Sequence, residues 1–95
     1  MSGDEDVLAE LVEVIASRRD ASPETSYTAA LFASEDRVLE KVGEETTELL
    51  LAAKDDDPDR IVAECADLFY HVLVLLEHHD VDFAAVEAAL RDRRD

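Results

Sequence analysis

The 95-residue chain carries 25 acidic against 9 basic residues, a formal net charge of -16. A field of that sign repels polyphosphate backbones and anionic lipid, which weighs against nucleic-acid binding through a basic surface and against docking on a membrane. With 47% apolar residues the chain has too much hydrophobic surface to stay disordered.

One domain spanning residues 1–95 is expected, and alone it would bury only about two thirds of the surface its unfolded chain exposes, so a second copy would help. Ala, Leu, Glu and Asp dominate, Gly and Pro number two each, and no run alternates β-branched and aromatic residues, so the expected fold class is all-α. The abundant acids suit a protein kept soluble in concentrated salt, where screening removes its self-repulsion; a salt-adapted source is the expectation. Cys65 is the single cysteine, which rules out an internal disulfide and suits a reducing cytoplasm. Ser2 to Asp6 is polar and acidic, unlike a secretory signal, and the apolar stretch Leu68 to Leu76 is too short to span a bilayer.

In chain order, the first helix is predicted from Glu5 to Arg18, with Val7, Leu8, Leu11, Val12 and Ile15 along one stripe. Asp20 to Ser26, with Ser22-Pro23, reads as a loop, and Ser26 to Phe32 as a short helical turn. Ser34 has the form of an N-cap, with Glu35 and Asp36 in the first turn of a second helix running to Lys54. Asp57 caps and Pro58 opens a third helix, since proline's missing N–H costs nothing at the first helical position. That helix runs to about His79 and is apolar on nearly every side from Leu68 to Leu76, as the central element of a helical bundle of about four helices would be. A last helix carries Phe83, Val86 and Leu90 and ends in Arg91, Arg93 and Arg94, cations that the helix dipole favours there.

Acidic pairs three apart recur in this sequence: Glu10/Glu13, Asp56/Asp59, Glu77/Asp80 and Asp92/Asp95 all qualify. Two sets have distinctive surroundings. On the second helix Lys41, Glu44, Glu45 and Glu48 fall within an arc of roughly 100°. On the third, Glu64 and Asp67 share a face with His71, among Ile61, Val62, Cys65, Ala66, Leu68 and Phe69. Two carboxylates about 4 Å apart repel by roughly 4 kcal/mol at an effective dielectric of about 20. If the two helices pack antiparallel, as their short connection favours, four or five carboxylates converge and a cation belongs among them. All-oxygen donors select a hard ion, magnesium or manganese rather than zinc, because no His/Cys set has zinc-like spacing. The plainer reading is that Glu44, Glu45 and Glu48 form a solvated face while Glu64 and Asp67 pair with Arg or Lys.

The stretch Lys41-Val42-Gly43-Glu44-Glu45-Thr46-Thr47-Glu48, followed by Glu64-Cys65-Ala66-Asp67-Leu68-Phe69-Tyr70-His71, resembles the phosphoribosyl-ATP pyrophosphohydrolases. These are a branch of the all-α, MazG-like nucleotide pyrophosphohydrolase superfamily, whose pattern is Glu-x-x-Glu on one helix and Glu-x-x-Asp on the next, here Glu45/Glu48 and Glu64/Asp67. Ser26-Tyr27-Thr28 and Ala52-Ala53-Lys54 extend the resemblance, which spans Val7 to Arg94. Glu40 departs from a frequent second Lys, Thr46 from a usual Ala, and the Ser34-Glu35-Asp36 stretch lacks a common Gly.

The resemblance implies hydrolysis of phosphoribosyl-ATP to phosphoribosyl-AMP and pyrophosphate, the second step of histidine biosynthesis; a third helix too apolar for its neighbours to cover makes a homodimer the expected assembly. Glu45, Glu48, Glu64 and Asp67 would hold magnesium, which neutralises the triphosphate and makes the attacking water more acidic. The resemblance leaves activation of that water to Glu44 or a ligand carboxylate. Lys41, Lys54, Ser26, Tyr27, Thr28 and His71 are implied substrate contacts; by their residues alone the lysines are equally helix-surface cations, the Ser-Tyr-Thr run a polar turn, and His71 a satisfied core histidine. Cys65 reads as a small core residue rather than a nucleophile. Gly43 costs its helix about 1 kcal/mol relative to Ala, which a close helix crossing or a close substrate would explain. Two competing functions are a MazG-like house-cleaning enzyme acting on other nucleoside triphosphates, and a helical dimerisation or metal-binding module without catalysis.

Overall fold

Two long helices organise the chain in the computed structural model, which describes residues 6–94: α3 (Glu35–Lys54) and α4 (Pro58–His78). Before them stand α1 (Val7–Ser17) and α2 (Tyr27–Phe32), and α5 (Phe83–Arg91) follows. No strand occurs among the described residues, so the all-α class holds. None of the helices is long and apolar enough to cross a membrane.

The boundaries follow from local chemistry. Ser26, Ser34, Asp57 and Asp82 each accept a hydrogen bond from a first-turn backbone N–H of α2, α3, α4 and α5 respectively, satisfying donors that have no partner inside the helix. The turn between α3 and α4 closes in three residues because Asp56 adopts φ 53°, a left-handed conformation that Asp tolerates better than most side chains. Three cross-helix pairs then run in opposite directions along the two elements: Glu35 with His79, Glu45 with His71, and Glu48 with Arg60. Only an antiparallel pair produces that order.

The core lies where four helices meet: Ile15 of α1, Leu31 of α2, Val38 of α3, and Leu73 and Val74 of α4. Burying a side chain of this size stabilises the fold by about 1.5–3 kcal/mol, so Leu31 is reason enough for the six residues of α2 to form a helix rather than a passing turn. The first helix is shorter than its periodicity predicts. Its expected start at Glu5 lies outside the described residues, Arg18 is its C-cap, and Val7, expected in the stripe, is 62% exposed. At 100° per residue Val7 sits about 80° away from Ile15 and at the helix end, beyond the reach of α4.

One face of α4 stays uncovered. Val62 is 69% exposed and Phe69 50%, and Phe69 lines an apolar groove with Leu8, Leu68, Phe83, Val86 and Leu90. Helix α5 adds Phe83 to the core but leaves Leu90 open. Its C-terminal end follows the expected electrostatics, with Arg93 donating to the Ala89 carbonyl oxygen at 3.3 Å.

Candidate metal centre

Three carboxylates gather between α3 and α4. Glu45, Glu64 and Asp67 each offer an oxygen, and the three oxygens lie within 4.8 Å of one another. The three-residue step from Glu64 to Asp67 keeps both on one side of α4, and the antiparallel packing brings Glu45 across from α3. Among the described residues, no Lys or Arg makes an ion pair with any of the three. The plainer expectation, that Glu64 and Asp67 pair with basic residues, is therefore not what the fold produces.

His71 stands behind this cluster, buried to 5% exposure. Its Nδ1 is 2.6 Å from Glu45 Oε1 and 2.9 Å from the Asp67 carbonyl oxygen, toward which the ring N–H points. Glu45 Oε1 is consequently buried without an aligned hydrogen-bond donor, an arrangement that costs about 1–3 kcal/mol or more for a charged acceptor. A buried, donor-poor carboxylate oxygen beside two further carboxylates suits a hard divalent cation, and the purely oxygen donor set matches magnesium or manganese.

The other acids of the stripe are engaged elsewhere. Glu48, expected as a fourth ligand, faces Arg60 at 3.9 Å, and Arg60 also holds Asp55 at 2.9 Å. Glu44 lies 3.7 Å from Lys41, exposed and a third of a turn around the helix from Glu45. Where four or five carboxylates were expected to converge, three do among the described residues, with Glu48 beside Arg60 and Glu44 beside Lys41.

The expected substrate-binding residues separate into two groups. Ser26 caps α2, Thr28 Oγ1 is hydrogen-bonded to Tyr70 Oη, and Tyr27 Oη lies 2.9 Å from His71 Nε2, so all three hydroxyls have partners inside the protein. Burial holds the Tyr70 hydroxyl above the ordinary tyrosine range, opposed by the Thr28 hydrogen bond and reinforced by Tyr27; it stays protonated at neutral pH. Lys41 stands one turn before Glu45. Lys54, nine residues beyond Glu45, is about 14 Å along the axis and on the opposite side of α3.

Gly43 is exposed, and a Cβ built there would meet nothing within 4 Å, which removes a close helix crossing within the chain as the reason for it. Arg37 was not singled out from the sequence. Its guanidinium lies 5.7 Å from the centre of the Tyr27 ring, and its position four residues before Lys41 and eight before Glu45, on one stripe of α3, was the available signal.

An all-helical chain that brings carboxylates together across an antiparallel helix pair has the architecture of the MazG-like nucleotide pyrophosphohydrolases. The family described as phosphoribosyl-ATP pyrophosphohydrolase (PRA-PH) matches residues 8–94, and the chain belongs to it. It is 52% identical over 93 residues to the phosphoribosyl-ATP pyrophosphatase of Halobacterium salinarum, covering 94% of this chain and 98% of that protein. Over 92 residues it is 52% identical to the phosphoribosyl-ATP pyrophosphatase of Haloarcula marismortui, covering 94% of each. It is also 53% identical over 90 residues to the histidine biosynthesis bifunctional protein HisIE of Synechocystis. That match covers 94% of this chain and 42% of the longer protein, so the chain spans less than half the length of its bifunctional relatives.

Proposed function

We propose that this chain hydrolyses phosphoribosyl-ATP to phosphoribosyl-AMP and pyrophosphate, the second step of histidine biosynthesis, with magnesium, or manganese in its place, held by Glu45, Glu64 and Asp67. The observation that carries the metal reading is the buried Glu45 oxygen that lacks an aligned donor within a three-carboxylate cluster. Family membership and two stand-alone relatives carrying that activity in their names support the reaction.

When bound, the cation supplies charge neutralisation for the triphosphate and for the departing pyrophosphate. The protein's part is positioning. Glu48, one turn beyond Glu45 on α3 and 3.9 Å from Arg60, is the fourth ligand. Glu44, exposed on the solvent side beside Lys41, orients or deprotonates the attacking water. Lys41 and Arg37 offer the only positive charge on this stripe of α3 and meet phosphate oxygens. Gly43, with open space above it, lets substrate approach the helix backbone.

The active form is a homodimer in the cytoplasm. A second copy of the chain covers the Val62, Phe69 and Leu90 face, which is too apolar for a lone domain, and brings a second set of side chains toward the first. The surplus of acids suits concentrated salt. Sedimentation in high potassium chloride is expected to give a dimer.

Pyrophosphate release from phosphoribosyl-ATP in magnesium and high salt tests the reaction. Wild type is expected to turn over, and Glu64→Gln/Asp67→Asn to lose at least about 100-fold of the rate, since removal of groups acting directly on the chemistry costs 10²-fold or more. Turnover that persists in the double variant would remove these acids from the reaction.

A further inference from the structure

We propose that Tyr27 and His71 are positioning residues for Glu45: the α2 hydroxyl, acting through the buried imidazole, fixes the carboxylate where it meets Glu64 and Asp67. The inference rests on the divalent-cation reading of that cluster.

His71 is the only buried polar side chain among the described residues. Its Nδ1 faces two oxygens, the Asp67 carbonyl at 2.9 Å and Glu45 Oε1 at 2.6 Å. Both are acceptors, so Nδ1 must carry a proton whether the ring is neutral or charged. Nε2 faces Tyr27 Oη at 2.9 Å, a hydroxyl that can donate to it. The imidazole thus spans α2, α3 and α4 at one point, and each nitrogen has its own role.

The geometry of the brace is set on both sides. On α4, the Asp67 carbonyl lies one turn before His71, so the helix that carries two of the three acids also orients the ring. On α2, the Tyr27 ring is stacked on Tyr70, with centroids 6.2 Å apart and planes inclined by 22°, and Tyr70 is tied to Thr28. Tyr27 therefore has little freedom to release its hydroxyl. A glutamate on its own would sample several rotamers; here the ring edge that the Asp67 carbonyl orients, with Nδ1 2.6 Å from Oε1, selects the one that reaches across to α4.

The test is manganese binding to the whole chain by titration calorimetry, with apo helicity and thermal midpoint measured alongside. Glu64→Gln is expected to abolish binding. His71→Leu is expected to weaken it by about 10- to 100-fold, the range for partners that orient a ligand, with the apo fold intact. His71→Asn, whose amide N–H falls near the position of Nδ1, is expected to recover most of the affinity. Tyr27→Phe, which removes only the hydroxyl, is expected to lie between wild type and His71→Leu.

If wild type binds no manganese, or Glu64→Gln binds as wild type does, the metal reading itself fails. If Glu64→Gln abolishes binding but His71→Leu matches wild type, the site stands and the positioning role is overturned; the same holds if Asn and Leu are equally impaired. Should His71→Leu fail to fold, Tyr27→Phe decides. Manganese binding weaker than wild type supports the brace, and wild-type affinity overturns it.

Discussion

Two acidic pairs with the same three-residue spacing belong to α4 and the turn that ends it, and the fold treats them oppositely. Glu77 and Asp80 converge on a single guanidinium, with Arg19 Nη1 at 3.1 Å from Glu77 Oε1 and 2.8 Å from Asp80 Oδ1, while the same arginine rests 5.7 Å from the centre of the Phe32 ring. Glu64 and Asp67 converge with a third carboxylate, and no Lys or Arg among the described residues pairs with any of the three. Spacing decides which acids share a face; what the neighbouring element brings to that face decides whether the charge is already balanced. The loop after α1 brings an arginine and completes a structural tie, whereas α3 brings Glu45, a further carboxylate, which is the basis of the proposed cation site.

The sharpest way to break that contrast is to compare thermal stability with and without magnesium at fixed potassium chloride. In chelator, Glu64→Gln/Asp67→Asn is expected to melt above wild type, because it removes repulsion that no Lys or Arg among the described residues offsets by an ion pair. Magnesium at about 100 times its dissociation constant stabilises a one-site protein by about 2.7 kcal/mol. For a domain of this size that is a rise of roughly 10–20 °C. Wild type and Arg19→Ala should both show the rise, and the double variant should not. A wild-type melting point indifferent to magnesium would erase the distinction between the two clusters.

The limits of α3 and α4 were legible because their signals are local: Ser34 and Asp57 cap within three residues, and Pro58 follows Asp57 directly. The shared face of Glu64, Asp67 and His71 was legible for the same reason, since helical periodicity fixes it. The pairing of Glu48 with Arg60 was not legible, because it depends on a neighbour across the helix pair. The bond between Tyr27 and His71 joins residues 44 apart, and no periodicity reports where a six-residue helix docks; the association of those residues with a site came through family resemblance rather than through their spacing. Arg37 was hidden likewise, as its partner is an aromatic ring on another element. The substrate lies further still from the residues alone, which define charge and geometry but not a purine.

The smallest expected effect tests the balanced cluster. The Arg19 hydrogen bond and charge hold the Asp80 carboxyl below its ordinary value of 3.8. A carboxyl whose folded pKa is depressed contributes stability that is fully present above its unfolded pKa and is lost as pH falls through the folded value. Arg19→Ala should therefore melt slightly below wild type, by a constant margin from about pH 5 to 7, and the margin should close as the pH drops beneath 3.8. Screening makes the margin smaller in concentrated salt, because both partners are open to solvent. A margin that survives unchanged to about pH 2.5 would mean that Arg19 acts by covering Phe32 with its guanidinium and stem rather than by balancing charge. In that case the two acidic pairs would differ in packing alone, and the argument that α4 sorts its acids by the charge of their neighbours would have to rest on Glu45, Glu64 and Asp67 by themselves.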